Sequence, residues 1–250
     1  MATWPQLEVI LVRPRNPLNI GAAARAMANF GLERLTVVDA WEPHWREARS
    51  AVGAPELLRE ARETAGLSEA VAECTLVLGT GTQTYRRPEQ KVVSLPDLAP
   101  LVRQELEQGG RVAVVFGPEK HGLTREDLSF CHVLVEIPTD ARQPSMNLGQ
   151  AVAVCLYELA GLGNDGKSQV AERGTAANSE RLERLAGLIE ETMLASNYSP
   201  TLMREANRHD LRLILRRLGP TEADTRRILG LFRRILWRLR NSSTSDDERV

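Results

Sequence analysis

Five short runs of aliphatic and β-branched residues constrain this chain more than any other feature: Leu7–Val12, Leu35–Val38, residues 74–78, Val112–Phe116 and residues 133–137. None alternates apolar with polar positions, as a strand with one wet face would. The last three therefore read as strands buried on both faces, Leu7–Val12 as a short apolar run and Leu35–Val38 as the next strand. Between them lie segments of helical spacing. Residues 19–30 are rich in alanine and closed by Gly31, 54–65 are charged, and 95–107 and 147–159 are amphipathic. Thr124 with Asp127 reads as a capping box carrying Asp in place of Glu, which starts a short helix. Strands alternating with helices specify an α/β fold, a mostly parallel sheet with helices on both faces. At 42% hydrophobic residues over 250 positions, the chain has apolar mass enough for such a core.

The alternation stops near Gly161. Residues 163–179, GNDGKSQVAERGTAANS, have no apolar period and read as a linker. Three helical segments follow, at 180–196, 200–218 and 221–239, the last placing Ile228, Leu231, Phe232, Ile235 and Leu239 on one side. The expected organisation is an α/β domain over 1–162, a linker over 163–179, a small all-helical basic extension over 180–240 and a disordered polar tail over 241–250. In the extension, from residue 204 to residue 240, arginines far outnumber acids. With a net charge of −1 for the whole chain, a polyanion must be held by such a local cluster. A solvated helix face is an equal reading of the same residues. Aromatics are sparse there (Tyr198, Phe232, Trp237), so phosphate contact is the expected mode rather than base stacking.

Several chemistries are excluded. Cys74, Cys131 and Cys155 lie far apart in apolar surroundings, which fits buried reduced thiols rather than a zinc set or disulfides. No run approaches the roughly 18 apolar residues of a membrane helix, and the N-terminus lacks the marks of a signal peptide, so the expected compartment is the cytoplasm. Gly79-Thr80-Gly81 lacks the third glycine of a dinucleotide loop, and no phosphate-binding loop, metal-binding histidine pair or nucleophile elbow is present. His121 and His132 are isolated and read as structural, and no metal site is expected.

Three constellations remain. Asn19 opens a helix directly after a strand, Gly21 permits close backbone approach, and Arg25 is expected on the same face a turn or so later. Taken alone, this is also an N-cap followed by a surface arginine. Residues 117–123 (GPEKHGL) form a loop at the carboxyl end of a parallel strand, where α/β sheets place ligands, though a plain turn has the same look. Residues 137–148 add a third loop, with Ser145 and Asn147 at a helix start whose N–H groups can meet an anion or a ribose.

NIGAAAR, VFGPEKHGL and IP…PSMNLGQAVAV resemble, in order and spacing, the three signature motifs of the SpoU (TrmH-like) branch of the SPOUT RNA methyltransferases. The start VRPRNPLNIGAAARAMANFG, the segment GTGTQTYRR and the basic helical extension look like its TrmJ-type enzymes, which methylate the ribose 2′-hydroxyl at position 32 of tRNA. The resemblance implies a C-terminal trefoil knot, which propensity alone never suggests. It implies a homodimer and S-adenosylmethionine bound by Thr80, Gly81, Thr82, Gly117, Ile137, Pro144, Ser145, Met146 and Leu148. It gives catalytic roles to Arg25, Asn19, Glu119, Ser145 and Asn147, with Arg25 reached from the other subunit. An arginine is an awkward base, so Arg25 is expected to clamp the phosphate and developing alkoxide. Arg13, Arg15, Arg86, Arg87, Arg212 and Arg216 are expected to grip the tRNA. The partners are then tRNA and a second copy, with no membrane or DNA. Methylation of ribosomal RNA, a non-catalytic RNA-binding domain, and a DNA-binding module on a ligand-sensing domain are the alternatives.

Overall fold

The structure is a computed structural model that describes residues 4–81, 89–160 and 175–243. Two compact units divide the chain, Met1–Ala171 and Glu172–Val250.

In the first unit the elements run β1 (Leu7–Val12), α1 (Pro17–Asn29), β2 (Leu35–Val38), α2 (Pro55–Glu60), β3 (Arg62–Thr64), α3 (Leu67–Ala70) and β4 (Leu76–Thr80). They continue with β5 (Lys91–Ser94), α4 (Leu98–Glu107), β6 (Val112–Phe116), α5 (Arg125–Ser129), β7 (Val133–Glu136) and α6 (Leu148–Ala160). The strands form one seven-stranded sheet in the order β3-β2-β1-β6-β4-β7-β5, and every pairing is parallel.

The unbroken apolar runs explain this sheet. Successive strand residues point to opposite faces, and both faces are covered here. Leu7, Val9 and Leu11 of β1, with Val112, Val114 and Phe116 of β6, pack into one core with Ile20, Leu58, Leu98, Val102, Val152 and Leu156 from the helices. Ile10, Val12, Ala113 and Val115 face a second core with Leu67, Ala70, Val71, Leu123 and Phe130. Cys74, Cys131 and Cys155 are all buried. Burial raises the Cys74 and Cys155 thiols to about 12.

Two expectations fail locally. Residues 54–65 are not one helix: α2 ends at Glu60 and Arg62–Thr64 forms the edge strand β3. Its exposed Arg62 and Glu63 hide the period that a buried strand displays. The edge strand β5, with exposed Lys91 and Val92, lacks a continuous buried pattern for the same reason.

The second unit contains α7 (Ser179–Ala195), α8 (Arg204–Leu218) and α9 (Glu222–Ser243). Asn178 caps α7 by accepting from the Arg181 N–H at 3.0 Å, and Gly219 ends α8 in the left-handed region at φ 55°. Helix α7 packs against both α8 and α9 around Leu182, Leu185, Ala186, Leu215 and Leu229. The buried side of α9 overlaps the expected one only in part, with Ile228, Phe232 and Leu239 half-buried. Thr225, Leu229 and Leu236 turn inward, while Leu231 and Ile235 are exposed.

Along the α7–α8 seam runs a ladder of charges. Glu190 accepts from Arg204 Nε at 3.1 Å and Arg208 at 2.8 Å, and Glu183 accepts from Arg212 at 3.0 Å and Arg216 at 3.3 Å. The Arg216 side chain is only 1% exposed. Gly187 leaves room for the Arg208 guanidinium, which would stand 3.0 Å from an added Cβ. The spacing is simple: two glutamates two turns apart on one helix face four arginines one turn apart on the other. Removing one partner of a buried pair is costly because the other charge stays buried. Glu183→Ala is expected to destabilise the helical unit by about 3–5 kcal/mol in urea unfolding. Arg217→Ala, on the exposed side of α8, should change it by less than about 0.5 kcal/mol.

Candidate functional site

From β1 the sheet grows through β2 and β3 in one direction and through β6, β4, β7 and β5 in the other. The crevice at such a switch point, outside the carboxyl ends of the strands, is where open α/β sheets bind ligands. Residues 13–19 leave the end of β1 and 117–123 leave the neighbouring β6, while 137–147 lead from β7 to α6.

A directed chain of hydrogen bonds ties these three loops together. Asn147 Oδ1 accepts from the backbone N–H groups of Gly149 (3.0 Å) and Gln150 (3.4 Å), capping α6. That leaves its Nδ2 to donate to Asn19 Oδ1 at 2.9 Å. The Asn19 amide in turn donates through Nδ2 to Glu119 Oε1 at 2.8 Å. Glu119 also accepts from the backbone N–H groups of Arg15 at 3.1 Å and Asn16 at 3.2 Å. Partial burial pushes its carboxyl up, but these donors outweigh that and hold its pKa below the ordinary value.

Asn19 is therefore not the cap of α1. Asn16 is, accepting from the Leu18 N–H at 2.9 Å with Pro17 at the first helical position. The Asn-Pro dipeptide was the signal for it. Glycines let the backbones close up. A Cβ on Gly149 would stand 2.6 Å from the Ala22 methyl, and one on Gly21 would stand 2.8 Å from the Ala51 nitrogen. In the β6 loop a Cβ on Gly117 would meet the Leu123 nitrogen at 2.3 Å. Gly122, at φ 63°, donates its N–H to the Pro118 carbonyl at 2.8 Å.

The residues expected to hold a methyl donor lie at the ends of three adjacent strands, β6, β4 and β7. Thr80 is buried and its hydroxyl donates to the Val115 carbonyl at 3.0 Å, so it serves the sheet. Gly81 donates its N–H to the Val135 carbonyl at 3.2 Å, and among the described residues nothing stands within 4 Å of the place a Cβ would take there. Ile137 is half-buried against the core, Leu148 is buried and Met146 is exposed. The loop between β7 and α6 closes on itself: the Thr139 hydroxyl donates to the Pro144 carbonyl at 3.2 Å. Ser145 is exposed, and no hydrogen bond to it is seen among the described residues. Thr82, Arg86 and Arg87 fall outside the described residues.

Arg25 departs from expectation. Six residues after Asn19, it lies about 120° round the helix and about 9 Å along it, on the Gly21 side rather than the Asn19 side. It is exposed, and no ion pair reaches it among the described residues. The expected RNA contacts also sort differently. Arg13, at φ 46°, donates to Asp127, whose carboxylate also closes the Thr124 capping box. Arg212 and Arg216 are held by Glu183 inside the helical unit, and Arg216 is too buried to face an RNA. Arg15 remains exposed, its guanidinium 5.4 Å from the Trp41 ring centre.

His132 is structural, its Nδ1 accepting from the Val77 N–H at 3.0 Å. Among the described residues no cluster of three His, Cys, Asp or Glu could hold a metal, and no helix is long and apolar enough to cross a membrane.

The Glu119 carboxylate gives a pH test. A carboxyl with a depressed folded pKa stabilises the loops above its unfolded value, about 4.3, and that contribution disappears as pH falls through the folded value. Hydrogen-exchange protection of the Arg15 and Asn16 amides should hold at pH 5 and fall only below about pH 4. In Glu119→Gln, it should be weak at both.

The model of the SpoU rRNA Methylase family matches residues 6–157. A tRNA (cytidine/uridine/adenosine-2′-O-)-methyltransferase TrmJ of Pseudomonas aeruginosa is 36% identical, the match covering 92% of each chain. The tRNA (cytidine-2′-O-)-methyltransferase TrmJ of Methanocaldococcus jannaschii is 39% identical, over 61% of this chain and 66% of the relative. Among solved structures, TrmJ from Z. mobilis ZM4 superposes with a TM-score of 0.79 at 30% identity, covering 91% of this chain and 98% of that one. The matched segment contains all three hydrogen-bonded loops, and the likeness to TrmJ extends through the helical unit. The chain belongs to the SpoU rRNA Methylase family and stands among its TrmJ-type members.

Proposed function

We propose that this chain transfers a methyl group from S-adenosylmethionine to a ribose 2′-hydroxyl in the anticodon loop of tRNA, at position 32. The observation that carries this reading is the Asn147–Asn19–Glu119 hydrogen-bond chain, which gathers the three loops at the switch point of the sheet. Ribosomal RNA appears in the family's description, but the Pseudomonas aeruginosa relative, which matches across both units, is a tRNA enzyme.

The residues present fit the methyl donor. Among the described residues nothing fills the place of a Cβ on Gly81 at the end of β4, and exposed Met146 and half-buried Ile137 would offer apolar surface to a purine, with buried Leu148 behind them. Gly117, Pro144 and Ser145 bring backbone groups to the same edge; Thr82 belongs to the same expectation. The bound sulfonium would supply an electrophilic methyl. Everything else is the work of the chain: aligning the 2′-oxygen, excluding water and stabilising the alkoxide. Ser145, exposed beside capping Asn147, would orient the ribose. Within one chain, no contact between Glu119 and Arg25 is seen among the described residues, and Glu119 would hold the loops.

Arg25 faces away from Asn19 on its own helix, which favours a homodimer in which each copy supplies Arg25 to the other's site. Its planar fork suits a phosphate and the developing alkoxide together. The insertion of β7 between β4 and the earlier strand β5 agrees with a trefoil knot, whose threading would hold the 137–147 loop. We read 1–162 as the catalytic domain, 163–179 as a linker and 180–240 as an RNA-binding extension, in a cytoplasmic enzyme. With Arg212 and Arg216 in the seam, its RNA face moves to the exposed arginines of α9, Arg226, Arg227, Arg233, Arg234 and Arg238.

Incubation with methyl-labelled S-adenosylmethionine and bulk tRNA or rRNA, followed by mapping, tests this reading. Label should appear on a single tRNA ribose; label on rRNA alone, or on neither, overturns it. Arg25→Lys should lower kcat by about 100-fold or more with tRNA affinity little changed. Near-full turnover would remove the clamp.

A further inference from the structure

Trp41 is 69% exposed, whereas Trp45, four residues on, is fully buried. It follows the carboxyl end of β2, next to β1 in the sheet, and so stands on the same edge as the hydrogen-bonded loops. Its backbone is anchored from both sides. The Asp39 N–H, at a residue with φ 48°, donates to the Thr64 carbonyl at 3.0 Å, and the Trp41 N–H donates to the Pro14 carbonyl at 3.4 Å. Over the indole lies the guanidinium of Arg15, 5.4 Å from the ring centre. The Arg15 backbone N–H donates to Glu119 at 3.1 Å. One residue thus connects the exposed indole with the carboxylate that organises the site.

Resting on the methyltransferase reading, we infer that Trp41 and Arg15 form a stacking platform for an unpaired base of the tRNA loop, next to the nucleotide being methylated. Single-stranded bases stack on aromatic rings and on arginine planes, and this mode tolerates any base. The cation rests on one face of the indole, leaves the other for a base, and would draw the adjacent phosphate. A pre-anchored ring loses little freedom on binding. The 2′-hydroxyl of an anticodon loop is presented when neighbouring bases are splayed and held, and among the described residues of the loops around Glu119 the one aromatic ring is the imidazole of His121, a smaller surface than an indole. The platform therefore acts on substrate binding and register, leaving the methyl-transfer step to the loops.

The test combines steady-state kinetics with fluorescence. Trp41→Ala should raise KM for tRNA about tenfold, with kcat and S-adenosylmethionine affinity by calorimetry unchanged, and Trp41→Phe should restore most of the loss. An anticodon stem-loop RNA should quench emission that is present in the wild type and absent from Trp41→Phe. That readout needs no turnover. Quenching without methyl transfer upholds the platform and refutes the methyltransferase reading. Methyl transfer with unchanged KM and no Trp41-dependent quenching refutes the platform and leaves the reading intact. A raised KM accompanied by dissociation of the oligomer in sedimentation would assign Trp41 to a protein contact and also overturn the inference.

Discussion

An ionised carboxylate can accept hydrogen bonds but not donate them, and that asymmetry orders the site. Asn147 caps α6 with its oxygen, so its nitrogen must donate outward; Asn19 receives there and donates onward; Glu119 ends the series. Each amide has one usable orientation because the carboxylate fixes one end and the helix N–H groups fix the other. Three loops from three strands are thereby held in one arrangement. Backbone polar groups that an unbound loop would leave to water are satisfied by the same residue. Ser145 stays exposed beside this tie.

The central strands were legible because burial on both faces leaves an unmistakable mark: β1, β2 and β6 match their apolar runs residue for residue. The edge strands β3 and β5 were not, since a strand with one exposed flank carries charge where the pattern needs hydrophobicity. The site residues Asn19, Glu119 and Asn147 were legible as three motifs. Their mutual contacts span 100 or more residues, and nothing local reports a bond of that range. Arg25 shows the opposite error. Proximity in sequence suggested a shared face, yet six residues turn a helix well away from the starting direction.

Composition was ambiguous for the arginines of the helical unit. A count of cations cannot tell a surface patch from a buried ladder; only the facing glutamates Glu183 and Glu190, two turns apart on α7, separate the two. In this unit Arg204, Arg208, Arg212 and Arg216 of α8 form the ladder, while Arg226, Arg227, Arg233 and Arg234 of α9 are exposed. The same division recurs in the α/β unit. Arg13 is anchored to Asp127 in a capping box, while Arg15, two residues later, lies on an exposed tryptophan.

The three loops behave as one unit if the hydrogen-bond chain couples them, and a double-mutant cycle measures that coupling directly. Asn19→Ala removes the middle of the chain, and Asn147→Ser keeps a cap for α6 while its shorter side chain gives up the contact with Asn19. If the three loops are one unit, each variant alone loses most of kcat/KM and the double variant is little worse. The coupling would be of the order of 1–3 kcal/mol. Losses that simply add in free energy would mean that the two asparagines act independently, and the central claim would fall.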